Sequence, residues 1–283
     1  MSQPLVTLTT DMGVRDHYVA SVKGALFTAI PGVTVVDISH AIAPFDTAQA
    51  AFVLRNAYPD FPRGTIHLIG VNPEAGGQEP HVVVRHDGHL FVGADNGIFT
   101  LLFDGQPHEA FELTMKIGDD HASFPLKHVF VKAAAHLARG GTPETIGRKL
   151  QRVNELRHFV PKVERDGIIG SVIHVDSYGN LVTNITRRLF EEVVRGRPFR
   201  IRFGRGANDI RQISRNYGDE APGERVALFG SGGMLEIAIN KGTPGTGGGA
   251  ASLFGMKVGD TVRADLEDLN PAAPRVTGQL RTA

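Results

Sequence analysis

The feature that most constrains this chain is a change of rhythm just past its middle. Up to about residue 160, short β-branched runs alternate with helix-period patterns, the signature of βα units around a largely parallel sheet. Leu5–Thr9 reads as a strand, Asp16–Ala29 as a helix closed by Pro31-Gly32, and Val33–Ile38 as the next strand. Asp46–Ala57 carries apolar residues at Ala50, Val53, Leu54 and Ala57, which share one helical face. Thr65–Val71 is a third apolar run, and His81–His86 and His89–Gly93 flank Asp87-Gly88, a two-residue hairpin signal. Val129–Ala138 reads as a helix stopped by Gly140-Gly141. From Gly167 the texture changes to short strands separated by turns: Gly170–Val175, Leu181–Thr186, Phe199–Phe203, Arg225–Phe229, Leu235–Ile239 and Thr261–Ala264.

The expected architecture is therefore an α/β N-terminal domain (residues 1–160), doubly wound about a mostly parallel sheet, followed by an all-β, barrel-like C-terminal domain (residues 167–265). Residues 266–283 read as a flexible tail, and the Gly-rich run Thr243–Gly249 as a loop or a mobile lid.

Thirty basic residues balance thirty acidic ones, so no overall field attracts nucleic acid or an anionic membrane. A small-molecule partner is the better expectation. The absence of cysteine excludes disulfides, thiolate catalysis and Cys-ligated zinc. The first residues lack a basic segment leading into an apolar one, and no stretch approaches the roughly 18 apolar residues of a membrane span, so a cytoplasmic location is expected.

Several polar turns fall where open α/β sheets bind ligands, at the carboxyl ends of strands. Thr10-Asp11-Met12-Gly13 follows the first strand. Asp11 there can accept both hydrogen bonds of a ribose diol, or simply cap the next helix. Asn72, in Val71-Asn72-Pro73-Glu74, ends the third strand at the same edge, where it faces the same crevice or forms an Asn-Pro turn. Gly93-Ala94-Asp95-Asn96-Gly97 reads as a structural tight turn. In the second half, Asn180 of Asp176-Ser177-Tyr178-Gly179-Asn180 offers the donor and acceptor that an adenine edge requires, or belongs to a hairpin loop. Gly230-Ser231-Gly232-Gly233 can present N–H groups to a carboxylate, or turn the chain. No dinucleotide fingerprint or P-loop is present.

Twelve histidines raise the question of a metal. His81, His86 and His89 lie close in sequence and Asp37 lies near His40, but strand alternation puts His81 and His86 on opposite faces. No His-x-x-x-His pattern falls on an expected helix, so no metal site is expected.

Taken in order, Thr10-Asp11-Met12-Gly13 with Asp16 and Tyr18, Val36-Asp37-Ile38-Ser39-His40, Phe61-Pro62-x-Gly64-Thr65-Ile66, Gly93–Gly97, Asp176–Asn180 with Thr183-Asn184-Ile185, and Leu235-Glu236-Ile237-Ala238 resemble the S-adenosylmethionine hydroxide adenosyltransferases and their relatives, the fluorinases and chlorinases. The resemblance spans residues 4–265. It implies that S-adenosylmethionine is a substrate, that no cofactor is needed, and that the chain forms a homotrimer with ligand sites at the subunit interfaces. By the same resemblance Asp11 holds the ribose hydroxyls, Phe45 packs on the ligand, Asn180 reads adenine, and Asp176 and Ser231 hold the methionine part. Asp16, Asn72 and Glu236 complete the implied ligand set.

Hydrolytic members carry an Asp and an Arg in a V-D-P-G-V-G-x-x-R pattern and a His in T-F-H-G-R-D. Here the Asp position holds Asn72, the Arg position falls near Glu79, and the His position holds Pro125. Asn72 can orient a water but cannot take its proton, and Pro125 can do neither. Glu74, Glu79, Lys127 and His128 are the candidates to supply the missing function, with Asn72, Glu79 and His128 taken as the catalytic set. The expected reaction is displacement of methionine from ribose C5′ by water. A non-catalytic nucleoside-binding protein and a chloride-dependent halogenase are the alternatives. Fluorination is disfavoured because fluorinases carry a long insertion where this chain has only Asp87-Gly88.

Overall fold

The computed structural model describes residues 3–74, 79–115, 123–205, 208–242 and 248–267. The chain divides into two compact units at residues 158/159.

The first unit runs β1 (Leu5–Thr10), α1 (Tyr18–Ala29), β2 (Thr34–Ser39), α2 (Thr47–Arg55), β3 (Ile66–Gly70), β4 (His81–His86), β5 (His89–Ala94), α3 (Ile98–Phe103), β6 (Glu109–Leu113), α4 (Val131–Ala138), α5 (Pro143–Ile146) and β7 (Gly147–Leu150). The strands form one sheet in the order β2-β1-β3-β5-β4-β6-β7. Strands β2, β1, β3 and β5 pair in parallel, whereas β5–β4, β4–β6 and β6–β7 are antiparallel. The sheet is thus mixed, where a mostly parallel one was expected. Asp87 and Gly88 both adopt positive φ (46° and 80°), the two-residue turn that matches strand twist, and so β4 and β5 join as a hairpin without a crossover helix.

One face of the sheet buries Val6, Leu8, Leu68, Val83 and Val92 against Val22 and Leu26 of α1 and Ala133, Ala134 and Leu137 of α4. The other buries Ile69, Val82, Val84 and Phe91 against Ala50 and Leu54 of α2 and Phe99 and Leu102 of α3. The central strands are buried on both sides, with apolar runs at Val82–Val84 and Leu90–Val92, while β1 and β3 intersperse buried Thr7, Thr9 and His67. Each fully buried Leu, Ile or Phe contributes about 1.5–3 kcal/mol relative to exposure.

Helix α1 starts at Tyr18, two residues later than the expected Asp16. Gly13, at φ 64°, donates its N–H to His40 O, so residues 11–17 form a turn before the helix can begin. Helix α2 starts where Asp46 accepts the Gln49 N–H at 2.9 Å. Leu126–Phe130 form a π-helical turn that leads into α4.

The second unit runs β8 (Lys162–Glu164), β9 (Gly167–Val175), β10 (Leu181–Thr186), α6 (Arg187–Val194), β11 (Phe199–Phe203), β12 (Asp209–Ile210), β13 (Arg225–Phe229), β14 (Met234–Ile239), α7 (Ala250–Phe254) and β15 (Thr261–Leu266). Its antiparallel sheet has the order β12-β11-β15-β9-β10-β14-β13, with β8 also on β9. Ser214, after β12, donates its N–H to Ala227 O of β13 at 2.8 Å, so the two edges meet and the sheet nearly closes. Its core gathers Ile168, Val172, Leu181, Ile185, Leu235, Ile237 and Val262. Thr186 caps α6 by accepting the Leu189 N–H, and Phe190 and Val194 turn that helix onto the core.

The tail expected over 266–283 lies outside the described residues from 268 onward, as do residues 243–247 of the Gly-rich run. Among the described residues no helix is long and apolar enough to cross a membrane.

Candidate functional site

In the first unit β1 lies between β2 and β3, so the loops leaving β1 and β3 flank the point where the chain switches sides of the sheet. Ligands of open α/β sheets bind at such a crevice. Asp11 stands at the end of β1 and does not cap α1. Its Oδ2 accepts the Phe45 N–H at 2.9 Å and lies 3.5 Å from the Asn72 N, drawing together the loops after β2 and β3. Phe45 (φ 66°) and Asn72 (φ 44°) are both non-glycine residues in the left-handed region. Such conformations cost of order 1–3 kcal/mol and persist where surrounding contacts enforce them, most often at functional sites.

Those contacts are visible on each loop. Ala43 donates its N–H to Gln49 Oε1 at 2.7 Å on the Phe45 side. On the Asn72 side, Asn96 Nδ2 donates to Val71 O and Asn72 O at 3.3 and 3.1 Å, and His81 Nε2 donates to Pro73 O at 2.9 Å. Phe45 itself is 71% exposed, an aromatic face left on the surface beside Asp11. Asp16 is exposed in the turn before α1.

Behind Asp11 a polar chain that the sequence reading did not connect runs from buried Thr10 and His40 out to the surface at Asp37 and Lys23. Thr10 Oγ1 and His40 Nδ1 are 2.8 Å apart, and both residues are buried. His40 Nε2 lies 3.1 Å from Asp37 Oδ1, close but poorly aligned, and Asp37 Oδ2 accepts from Lys23 Nζ at 2.6 Å. Burial works to raise the Asp37 pKa, but its bond to Lys23 and the nearby His40 imidazole outweigh this and hold it below the usual carboxylate range. With Asp37 favouring a proton on Nε2, Nδ1 accepts the Thr10 hydroxyl, whose oxygen accepts the Met12 N–H at 3.4 Å. The turn carrying Asp11 is therefore fixed from below.

The proposed replacements for the missing triad lie in different surroundings. Glu79 is half-buried and its charge, after burial, helps raise the pKa of Asp95, which accepts the Asn154 N–H at 2.9 Å. Asp95 thus ties the turn at 93–97 to residue 154, in keeping with the structural role read from that motif. His128 and Lys127 lie on the π-helical turn and line a groove with Ser21, Gly24 and Thr28 of α1. Pro125 stands at the start of the same turn. Glu74 is exposed, beside residues 75–78 that lie outside the described residues.

In the second unit the β9–β10 loop is organised by Asp176. Its Oδ1 accepts the N–H groups of Tyr178 and Asn180 at 2.9 and 2.8 Å, and its Oδ2 accepts from Asn180 Nδ2 at 2.9 Å. This leaves Asn180, only 7% exposed, its carbonyl oxygen and a second amide hydrogen. Asp176, Tyr178 and Asn180 line a cavity of about 410 Å³ with Tyr217, Ile239, Lys241 and Gly242. Tyr217, which sequence reasoning missed, donates its hydroxyl to Glu236 Oε2 at 2.7 Å. Burial raises the Glu236 pKa; the Tyr217 bond opposes this and the Asp176 charge reinforces it. Burial and the bond to Glu236 push the Tyr217 hydroxyl up as well. The only local signal for Tyr217 was the Asn216–Asp219 pair that forms a capping box around it.

Ser231 is exposed in the tight turn between β13 and β14, where Gly233 donates its N–H to Gly230 O. A side chain at Gly230 would collide with the Glu236 carboxylate, 1.8 Å from where a Cβ would stand.

Residues 6–147 match the SAM hydroxide adenosyltransferase N-terminal domain and residues 170–263 the corresponding C-terminal domain. An (R)-S-adenosyl-L-methionine hydrolase of Thermus thermophilus is 34% identical, the alignment covering 91% of this chain and 98% of that protein. A protein of the same name from Salinispora tropica is 33% identical over 92% of this chain and 97% of its own. A fluorinase of Nocardia brasiliensis is 26% identical over 92% and 96%. The crystal structure of an uncharacterized conserved protein from Thermotoga maritima superposes with a TM-score of 0.80 at 30% identity, covering 92% of this chain and 99% of that one. This chain, in both of its units, belongs to the SAM hydroxide adenosyltransferase family.

Proposed function

We propose that this protein hydrolyses S-adenosylmethionine to adenosine and methionine. The observation that carries the reading is Asp11 at the switch point, with one carboxylate oxygen holding two left-handed loop residues, Phe45 and Asn72. Its other oxygen remains to accept a ribose hydroxyl, while Phe45 offers an aromatic face to the ligand. In the second unit, Asn180 takes the adenine edge, and Asp176 and Ser231 take the charged groups of the methionine part. Asp16 and Glu236 complete the polar surround, Glu236 through Tyr217.

The chemistry asks little of acid–base groups. The sulfonium leaves as a neutral thioether when the C5′–S bond breaks, so no proton has to be delivered to it. Water forms the new C5′–O bond and must then lose a proton. In-line positioning of that water is the main task. Asn72 orients it, and the proton passes to solvent or to Glu79 or His128. A missing general base costs about 10²–10⁴-fold, which points to slow turnover.

Asn72 and Pro125, in place of the Asp and His that the family pattern carries, favour one second reading, a binding protein that has lost the reaction. Product chromatography after incubation with each sulfonium epimer of S-adenosylmethionine, with and without chloride, separates the two. Adenosine formed without chloride supports hydrolysis. Ligand binding that Asp11→Ala abolishes, with no product over long incubation, selects the binding protein. A chlorinated nucleoside in chloride alone would overturn both.

We further propose that the chain acts as a homotrimer in the cytoplasm, with the Asp11 crevice of one subunit facing the Asn180 cavity of the next. Exposed apolar side chains beside each half, Val14 and Phe45 in one and Tyr178 in the other, support this.

A further inference from the structure

The end of the N-terminal sheet opposite Asp11 carries a second cluster of donor atoms. Strand β4 pairs antiparallel with β6 so that Arg85 faces Glu109, and continuing that register by one residue brings His86 opposite His108. Directly opposed side chains on one face of a sheet stand close enough to share a partner. The two imidazoles lie 4.2 Å apart, centroid to centroid, and Phe103 stacks on the other side of His86 at 3.9 Å. Asp87, the first residue of the hairpin turn, lies near both imidazoles. Its Oδ2 is 3.6 Å from His86 Nε2 and its Oδ1 3.9 Å from His108 Nε2.

We propose that His86, Asp87 and His108 form a binding site for a divalent transition metal of the zinc, nickel or copper type, with the remaining positions left to water. One donor atom from each residue lies within 4.8 Å of the others. Donors at about 2.1 Å in tetrahedral geometry stand roughly 3.4 Å apart, so closing onto a metal takes movements of under about an ångström. Two imidazoles and one carboxylate suit these metals and are a poor set for magnesium or calcium.

A separate observation points the same way. Among the described residues neither imidazole makes a hydrogen bond, and His86 Nδ1 is buried with no partner at all. The ring is half-buried, and a buried ring nitrogen with no hydrogen bond is uncommon and calls for an explanation. The site ties the β4–β5 hairpin to the start of β6 and stands apart from the Asp11 crevice. Its role is that of a clip, and its existence does not depend on the reaction proposed above.

The experiment uses tag-free full-length protein cleared of metal by chelation. Calorimetric titration with Zn²⁺ is expected to show one saturable equivalent per chain, with a rise in melting temperature. Cu²⁺ bound there should show superhyperfine splitting from two imidazole nitrogens. His108→Ala and Asp87→Asn change exposed side chains, so both variants should fold as the wild type does. Each should weaken Zn²⁺ binding by at least the 10–100-fold that losing even an outer-shell partner costs, and His108→Ala should reduce the splitting to one nitrogen. Absence of saturable binding to the wild type overturns the proposal. Binding of equal strength and stoichiometry in His108→Ala overturns it too.

Discussion

Phe45 donates its backbone N–H to Asp11 Oδ2 at 2.9 Å while held at φ 66°, so the carboxylate at the end of β1 fixes the conformation of a residue 34 positions away. Removing that carboxylate should act twice. Asp11→Ala leaves two loops without their anchor, and hydrogen bonds to a charged group contribute about 1.5–3 kcal/mol. The variant is expected to lose up to that much stability in urea titration and to lose measurable S-adenosylmethionine binding. Asp11→Asn keeps one acceptor oxygen. It should recover most of the stability and little of the affinity. Wild-type affinity in Asp11→Ala would show that the crevice is elsewhere.

His40 supports the same turn from beneath, through Thr10 on one nitrogen and Asp37 beside the other. His40→Asn retains an acceptor near the Nδ1 position, whereas His40→Phe fills the space and leaves the Thr10 hydroxyl buried without a partner. The Phe variant should bind S-adenosylmethionine about tenfold more weakly, a loss of roughly 1.4 kcal/mol, and the Asn variant should lie between it and the wild type. Equal affinities across the three proteins, measured calorimetrically, would remove His40 from any role in the site.

Much of this architecture is legible from local patterns, and the parts that are not have non-local causes. The β4–β5 hairpin follows from Asp87-Gly88, and the start of α2 from Asp46, because each depends on neighbours a few residues away. Helix α6 is an exception: it lies among short strands and was not singled out, although Thr186 caps it, Arg187 and Arg188 stand four residues before Glu191 and Glu192, and Phe190 and Val194 share its buried face. The antiparallel half of the sheet depends on where β6 and β7 pair, which no spacing announces. The site divides in the same way. Asp11, Asn72, Asp176 and Asn180 stand out because they follow strands in turn-rich sequence. The bonds from Asp11 to Phe45, Thr10 to His40 and Tyr217 to Glu236 join residues 34, 30 and 19 apart, and each needs the folded sheet to bring its partners together.

Acid should destabilise this protein through its histidines before its carboxylates. His67 is fully buried, bonded to Thr7 at 2.7 Å and in contact with His89, and burial followed by the nearby His89 lowers its pKa to about 3. Above pH ~6.5 the ring is neutral in both folded and unfolded chains, so its full contribution is present. Below that value the unfolded chain takes up a proton that the folded chain refuses. Stability should then fall by about 1.4 kcal/mol per pH unit for this group alone, until the pH approaches its folded value. Burial lowers His81, His86 and His89 as well, so they act in the same direction. Urea midpoints at pH 7, 6, 5 and 4 measure the slope. His67→Asn should reduce it by about 1.4 kcal/mol per unit, and an unchanged slope would mean that His67 is protonated in the native state.

Gly97 precedes α3 at φ 89°, and a Cβ there would stand 2.3 Å from Leu156 Cγ. Gly97→Ala combines a left-handed alanine, costing roughly 1–2 kcal/mol, with an overpacked contact costing about 1–3 kcal/mol. A loss of about 2–5 kcal/mol is expected from these two terms. Adding Leu156→Ala should restore the packing part alone, because it opens space without altering φ. Strict additivity of the two substitutions in a double-mutant cycle would show that the contact is not the cause.

Sites shared between subunits can be tested by mixing two proteins that are each inactive. Asp11→Ala disables the N-terminal half of a site and Asn180→Ala the C-terminal half. In a homotrimer with its sites between subunits, co-expressed variants assemble at random. An interface is intact when its N-terminal half comes from the Asn180→Ala chain and its C-terminal half from the Asp11→Ala chain. Each condition holds half the time, so about one quarter of wild-type binding capacity should return. Sites contained within single chains would return none, because every chain then carries one broken half. Light scattering on the same sample reads the assembly directly. A trimer with no recovery would place the whole ligand site within one chain, and a monomer that binds the ligand would dismiss the shared site altogether.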